Sequence, residues 1–152
     1  MTTEPIYLYT DGASKGNPGP GGLGVVLKYK DKRKELSQGF KRTTNNRMEL
    51  LAVIEGLRAI KQPNYPVIVY SDSKYVVDAI NKNWLMKWEQ KNFKNRKNTD
   101  LWKTLLELIR KFDNLEFRWL RGHAGHEENE VCDELAVNAS KNPEKEDTGY
   151  DG

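Results

Sequence analysis

Apolar positions along this chain change their period several times, and each change predicts an element. Residues 6–10, Ile-Tyr-Leu-Tyr-Thr, are β-formers set between Pro5 and Gly12, which predicts a strand. Residues 24–29 predict a second strand and residues 35–40 a third, with the charged turn Lys30-Asp31-Lys32-Arg33-Lys34 between them. Such spacing predicts consecutive antiparallel hairpins. From Asn46 the period lengthens: Leu50, Leu51, Val53, Ile54, Leu57 and Ile60 recur at helical spacing until Pro63 and Pro66. Residues 67–70 form a short apolar strand, and a helix is expected to open after Ser71-Asp72-Ser73. Residues 84–91 and 101–112 predict two more helices and 115–120 a last strand. Residues 129–140 predict a last helix, whose inner stripe is Val131, Cys132, Leu135, Ala136 and Ala139.

Strands joined through helices run parallel with right-handed crossovers. The expected fold class is therefore α/β, a five-stranded mixed sheet flanked by helices. Residues 1–140 make one domain, and the polar residues 141–152 are expected to be disordered. Ligands in such sheets gather beyond the carboxyl ends of the parallel strands, and Asp11 and Asp72 sit at two such ends.

Composition narrows the class. The 152 residues are 37% hydrophobic with a mean hydropathy of −0.82, and no run approaches the ~18 apolar residues of a membrane span. The first ten residues lack the basic-then-apolar pattern of an export signal, so a cytoplasmic location is expected. One cysteine, Cys132, excludes an internal disulfide, and two histidines leave little for a Cys/His zinc site. The net charge is +3 but uneven. Between residues 82 and 97, six cations face the single acid Glu89, a net +5 that leaves the rest of the chain at −2. A local basic patch points to a polyanion as partner.

Gly19 to Gly24 matches the letters of a G-x-G-x-x-G nucleotide fingerprint. That fingerprint works only where a helix follows to receive the pyrophosphate. Here a strand-like segment follows, so the glycines are expected to bring backbone N–H groups toward a ligand.

Asp11, Glu49, Asp72 and Asp133 are the candidate acids. Singly, each has a bland reading: Asp11 forms a turn, Glu49 closes a capping box with Asn46, Asp72 caps a helix, and Asp133 is a solvated helix residue. Jointly they point elsewhere, because the topology brings two of them to one sheet edge. Two carboxylates ~4 Å apart repel by about 4 kcal/mol at a protein-surface dielectric. Four in one pocket need a cation, and oxygen-only ligands favour Mg²⁺ or Mn²⁺. Two such ions ~3.5–4 Å apart are a known device for phosphodiester cleavage.

The ordered set YTDGASKGNPGPGG, TTNNRMEL, SDSKYV, RGHAGHEENEVCDELA and EDTGY resembles bacterial type 1 ribonuclease H over nearly the whole chain. The resemblance implies the ribonuclease H-like fold with strand order 3-2-1-4-5. It also implies Mg²⁺-dependent cleavage of the RNA strand of RNA–DNA hybrids by two-metal-ion catalysis, with Mn²⁺ as a substitute, leaving 5′-phosphate and 3′-hydroxyl ends. It places the metal-binding carboxylates at Asp11, Glu49, Asp72 and Asp133. The catalytic histidine falls on His123, in Gly-His-Ala-Gly-His, where a pKa near neutrality suits proton transfer or product release. His126 is read as structural and Glu130 as auxiliary.

An enzyme that selects RNA must sense 2′-hydroxyls across the shallow minor groove of an A-like duplex. Bare backbone around Gly12, Ser14 and Asn17 is expected to approach them. By resemblance, Asn17, Asn45 and Asn46 contact base edges or sugars beside the cut. Lys74 stands where the family commonly has glutamine, a departure at the matching contact. The basic segment 82–98 matches the family's handle, which grips the DNA strand. Trp84 is expected to pack on a deoxyribose and Trp88 and Phe93 to form handle core, although Trp84 and Trp88 four residues apart also suit plain helix packing. With Lys87, Lys91 and Lys94 among about four phosphate contacts, log affinity is expected to fall with log salt at a slope of about −3 to −4. No protein partner is evident, and a monomer is expected.

Overall fold

The computed structural model describes residues 4–121 and 126–150. Three strands come first: β1 (Ile6–Ser14), β2 (Gly19–Tyr29) and β3 (Lys32–Thr43). Then follow α1 (Asn45–Ala59), β4 (Val67–Ser71), α2 (Lys74–Asn81), α3 (Trp84–Gln90), α4 (Thr99–Ile109), β5 (Leu115–Trp119) and α5 (Glu127–Lys141). The sheet order is β3-β2-β1-β4-β5. β1–β2 and β2–β3 pair antiparallel, and β1–β4 and β4–β5 parallel. This is the expected five-stranded mixed sheet with helices on both faces. Among the described residues no helix is long and apolar enough to cross a membrane.

The pleat sends alternate β1 residues to opposite faces, and each face receives one long helix. On one face Leu8 is fully buried against Gly56 of α1. On the other, α5 lies across β1, β2 and β3, and its buried positions are Asn129, Cys132, Ala136 and Ser140. Two glycines permit this closeness. A Cβ on Gly12 would lie 2.4 Å from the backbone N of Glu49, and one on Gly24 2.1 Å from the carbonyl of Cys132. The glycine-rich run thus lies inside β2 and seats helices on the sheet, and it does not offer its backbone to a ligand as expected. Burial closes Gly12, whose N–H donates to Asp11 Oδ1 at 3.0 Å.

The strands run longer than the apolar pattern predicts, because ladder bonds continue into polar residues on the half-covered edge. β3 begins at Lys32 rather than at residue 35, and β1 continues past Asp11 to Ser14. The parallel register of β1 with β4, however, ends at Tyr9–Tyr70. Asp11 and Asp72 therefore each lie two residues past the last parallel rung, where the two strands separate.

The expected disorder of residues 141–152 disagrees with the structure over 142–150. Lys145 exchanges two backbone bonds with β3, to Gly39 O at 3.0 Å and from Lys41 N at 2.9 Å. The Asp147 carboxylate accepts from Arg47 Nε at 2.7 Å and from Thr43 Oγ1 at 2.7 Å. Arg47 is 2% exposed, and Asp100 holds its other side at 2.7 and 2.9 Å. A buried guanidinium needs two anions here, and the tail supplies one of them.

Candidate active site

Four elements deliver the acids. Thr44 caps α1 by accepting from Arg47 N, with a backbone bond from Met48 N to Thr44 O. The alternative of a capping box between Asn46 and Glu49 is therefore not realised, and Glu49 is free to face the sheet edge. Ser73, not Asp72, caps α2 by accepting from Val76 N at 3.3 Å. Asp72 is left in the bend after β4, and Asp11 projects from β1 beside it.

Asp11, Glu49 and Asp72 each offer one carboxylate oxygen, and the three oxygens lie within 4.8 Å of one another. Asp133 of α5 is not in that triad, yet its negative charge bears on Asp11. Burial, then Asp72 and Asp133, push the Asp11 carboxyl up to about 8, against an opposing bond from the Gly12 amide. Burial, then Asp11 and Asp72, hold Glu49 well above the usual carboxylate range. Glu49 Oε1 and Asp72 Oδ1 are buried with no hydrogen-bond partner. Orphaned buried carboxylate oxygens are costly. Two of them in an all-oxygen triad fit a hard divalent cation. Cys132, nearby, is no competing ligand, because burial pushes its thiol up.

The expected substrate-contacting residues fall into two groups. Asn17 Oδ1 accepts from Asn45 N at 2.8 Å and from Ser14 Oγ at 3.1 Å, so the β1–β2 turn is tied to the start of α1. Ser14, Asn17, Asn45 and Asn46 line a cleft of about 940 Å³ together with Lys97 and Asn98. Lys87, Lys91 and Lys94 are exposed on and after α3. The acid of this segment, Glu89, is bound to Arg110 at 2.5 Å. Trp84 is 39% exposed, whereas Trp88 packs edge-on against buried Trp102 at 5.2 Å and Phe93 is 6% exposed. Four asparagines, Asn83, Asn92, Asn95 and Asn98, take positive φ and shape the turns on either side of α3. His123 lies outside the described residues. His126 precedes α5 as its N-cap residue, without a side-chain cap bond.

Sequence reasoning missed two residues. Arg47 falls on the inward period of α1 with Leu50 and Ile54, which was the available signal. Trp119, in the last strand, is 40% exposed and donates its indole N–H to the Asp72 carbonyl at 3.0 Å.

Comparison with known proteins adds an independent line. The RNase H family model matches residues 3–141. A ribonuclease H of Desulforamulus reducens is 57% identical over 145 residues, covering 92% of this chain and 90% of its own. Among solved structures, LC9-RNase H1, a type 1 RNase H with the type 2 active-site motif, superposes with a TM-score of 0.82 at 35% identity. That match covers 93% of this chain and 74% of the other. LC11-RNase H1, solved with an RNA/DNA hybrid, gives 0.69 at 27% identity over 90% and 96% of the two chains.

Proposed function

Because this chain belongs to the ribonuclease H family, we propose that it hydrolyses the RNA strand of RNA–DNA hybrids with Mg²⁺, leaving 5′-phosphate and 3′-hydroxyl ends. Family membership makes it a divalent-metal-dependent phosphodiester endonuclease. The observation that carries the finer reading is the largely buried triad Asp11, Glu49 and Asp72, with two orphaned oxygens and, among the described residues, no ion pair to a cation of the protein's own. Asp133 completes the ligand set from the Asp11 side. Two ions bound there supply Lewis acidity, for water activation and for charge on the leaving oxygen; Mn²⁺ substitutes for Mg²⁺.

The chain's own groups do the rest. Asp11 and Glu49, whose carboxyls burial holds above the usual range, give up protons to become ligands, so activity rises with pH until both are ionised. Asn17, Asn45 and Asn46, with Ser14, orient the hybrid through sugars and base edges, while the Gly12 amide steadies Asp11. Exposed Trp84 receives a deoxyribose, and Lys87, Lys91 and Lys94 hold the DNA-strand phosphates. His123 assists proton transfer or product release. The enzyme acts as a cytoplasmic monomer.

The test is incubation of end-labelled hybrid, duplex DNA and duplex RNA with the protein, with and without Mg²⁺. The expected result is metal-dependent cutting of the hybrid's RNA strand alone, with 5′-phosphate and 3′-hydroxyl product ends. Hybrid bound but uncut in every divalent ion would reduce the protein to a binding module. Cutting of duplex DNA would place it with DNA-acting nucleases of the same fold.

A further inference from the structure

Among the described residues three large apolar side chains are exposed: Trp84, Met86 and Trp119. The handle accounts for the first two. Trp119 lies elsewhere, at the carboxyl end of β5, in register with Ser71 of β4 and so one strand away from Asp72. Its indole N–H donates to the Asp72 carbonyl at 3.0 Å. Its ring supports the Lys74 ammonium, 4.5 Å from the centroid.

Lys74 is an odd choice for its place. It is the first residue of α2, where the helix dipole disfavours a cation by about 0.3–1 kcal/mol. Broken local rules tend to mark function. Among the described residues, the ion pairs include none from Lys74 to the acids. The indole instead holds the ammonium to one side, so the carboxylate oxygens stay free for metal. An exposed cation fixed on an aromatic face, next to an anionic centre, is suited to a second anion beside that centre.

We propose that Lys74 and Trp119 form a phosphate-gripping subsite for the RNA strand beside the carboxylates, with Trp119 as the positioning residue; this rests on the hybrid-cleavage reading above. Lys74 Nζ contacts a phosphate next to the one being cut. Trp119 orients Lys74 through its ring and anchors the Asp72 backbone through its N–H. The subsite lies on the β5 side of the triad and shares no residue with the asparagine cleft, and it makes a separate contribution to affinity.

The experiment measures equilibrium binding of an RNA–DNA hybrid in chelator, where nothing is cut, over a range of salt. Lys74→Gln is expected to weaken binding about three- to tenfold at low salt. It should also make the log Kd against log salt plot shallower by about 0.7–0.9, the share of one phosphate. Lys74→Arg restores the slope. Trp119→Leu keeps the charge yet loses a comparable affinity, and the Lys74→Gln, Trp119→Leu double variant binds no worse than the weaker single. Trp119→Phe keeps the ring and with it the wild-type slope. An unchanged slope in Lys74→Gln, or full additivity of the two single losses, overturns the proposal. Wild-type cleavage of the same hybrid in Mg²⁺ tests the underlying reading separately.

Discussion

Asp11 carries the sharpest conflict at the residue scale. It is 4% exposed and shares its oxygens' surroundings with Asp72, Glu49 and Asp133, so without metal its charge destabilises the fold. The sign follows from linkage. Its folded pKa, about 8, lies above the unfolded 3.8. Between those values the folded protein keeps a proton that the unfolded chain has lost, and stability therefore falls as pH rises. Glu49 is shifted the same way and adds to the slope. In chelator, melting temperature should decline from about pH 4 to pH 8. Asp11→Asn should flatten that decline and melt at an equal or higher temperature, while abolishing cleavage. Thermal melts of the two proteins over this range are the check; a large loss of stability in the variant would mean that the pocket is not crowded.

Elements were legible where their period was strong. The α1 pattern from Leu50 to Leu57, the apolar run at 67–70 and the order of strands and helices all give the fold class directly, because burial on a sheet face sets those periods. What the pattern could not give was pairing at a distance. The segment 142–150 has no apolar period, so it reads as disordered; its order comes from Asp147 meeting Arg47 and from two backbone bonds to β3. Likewise Glu49 and Asp72 each stand beside plausible caps, and only the real caps, Thr44 and Ser73, release them to the site. Two predictions belong here. Asp147→Ala leaves one side of a buried guanidinium unpaired, so stability should drop by about 2–3 kcal/mol. The melting temperature should then fall by ~4–12 °C, with the acids untouched. If the exposed lysines around α3 grip the hybrid as proposed, the combined change of Lys87, Lys91 and Lys94 to Ala should raise KM far more than it lowers kcat, because such a grip is equal in ground and transition states. Steady-state kinetics at fixed salt checks it, and equal losses in both constants would mean that the handle also orients the cut.

For the whole molecule, the sheet edge joins two opposed demands. The hydrophobic core on both faces, from Leu8 and Leu50 on one side to Cys132 and Ala136 on the other, holds rigid the strands that bring the acids together. The acids meanwhile repel where β1 and β4 part. The core therefore carries a strain that a bound cation or a proton relieves, and metal binding and folding are linked. A ligand that binds only the folded state stabilises it by about 2.7 kcal/mol at a hundredfold excess over its dissociation constant. For a chain of this size that is a rise of roughly 5–11 °C. Protons compete for the same oxygens, with Asp11 half-protonated near pH 8, so the rise should be small at pH 5.5 and large at pH 9. Calorimetry with Mg²⁺ against chelator at both pH values measures it. An equal rise at the two would show that the ion binds away from these carboxylates, and Asp11→Asn should remove most of the rise at pH 9 if it binds among them.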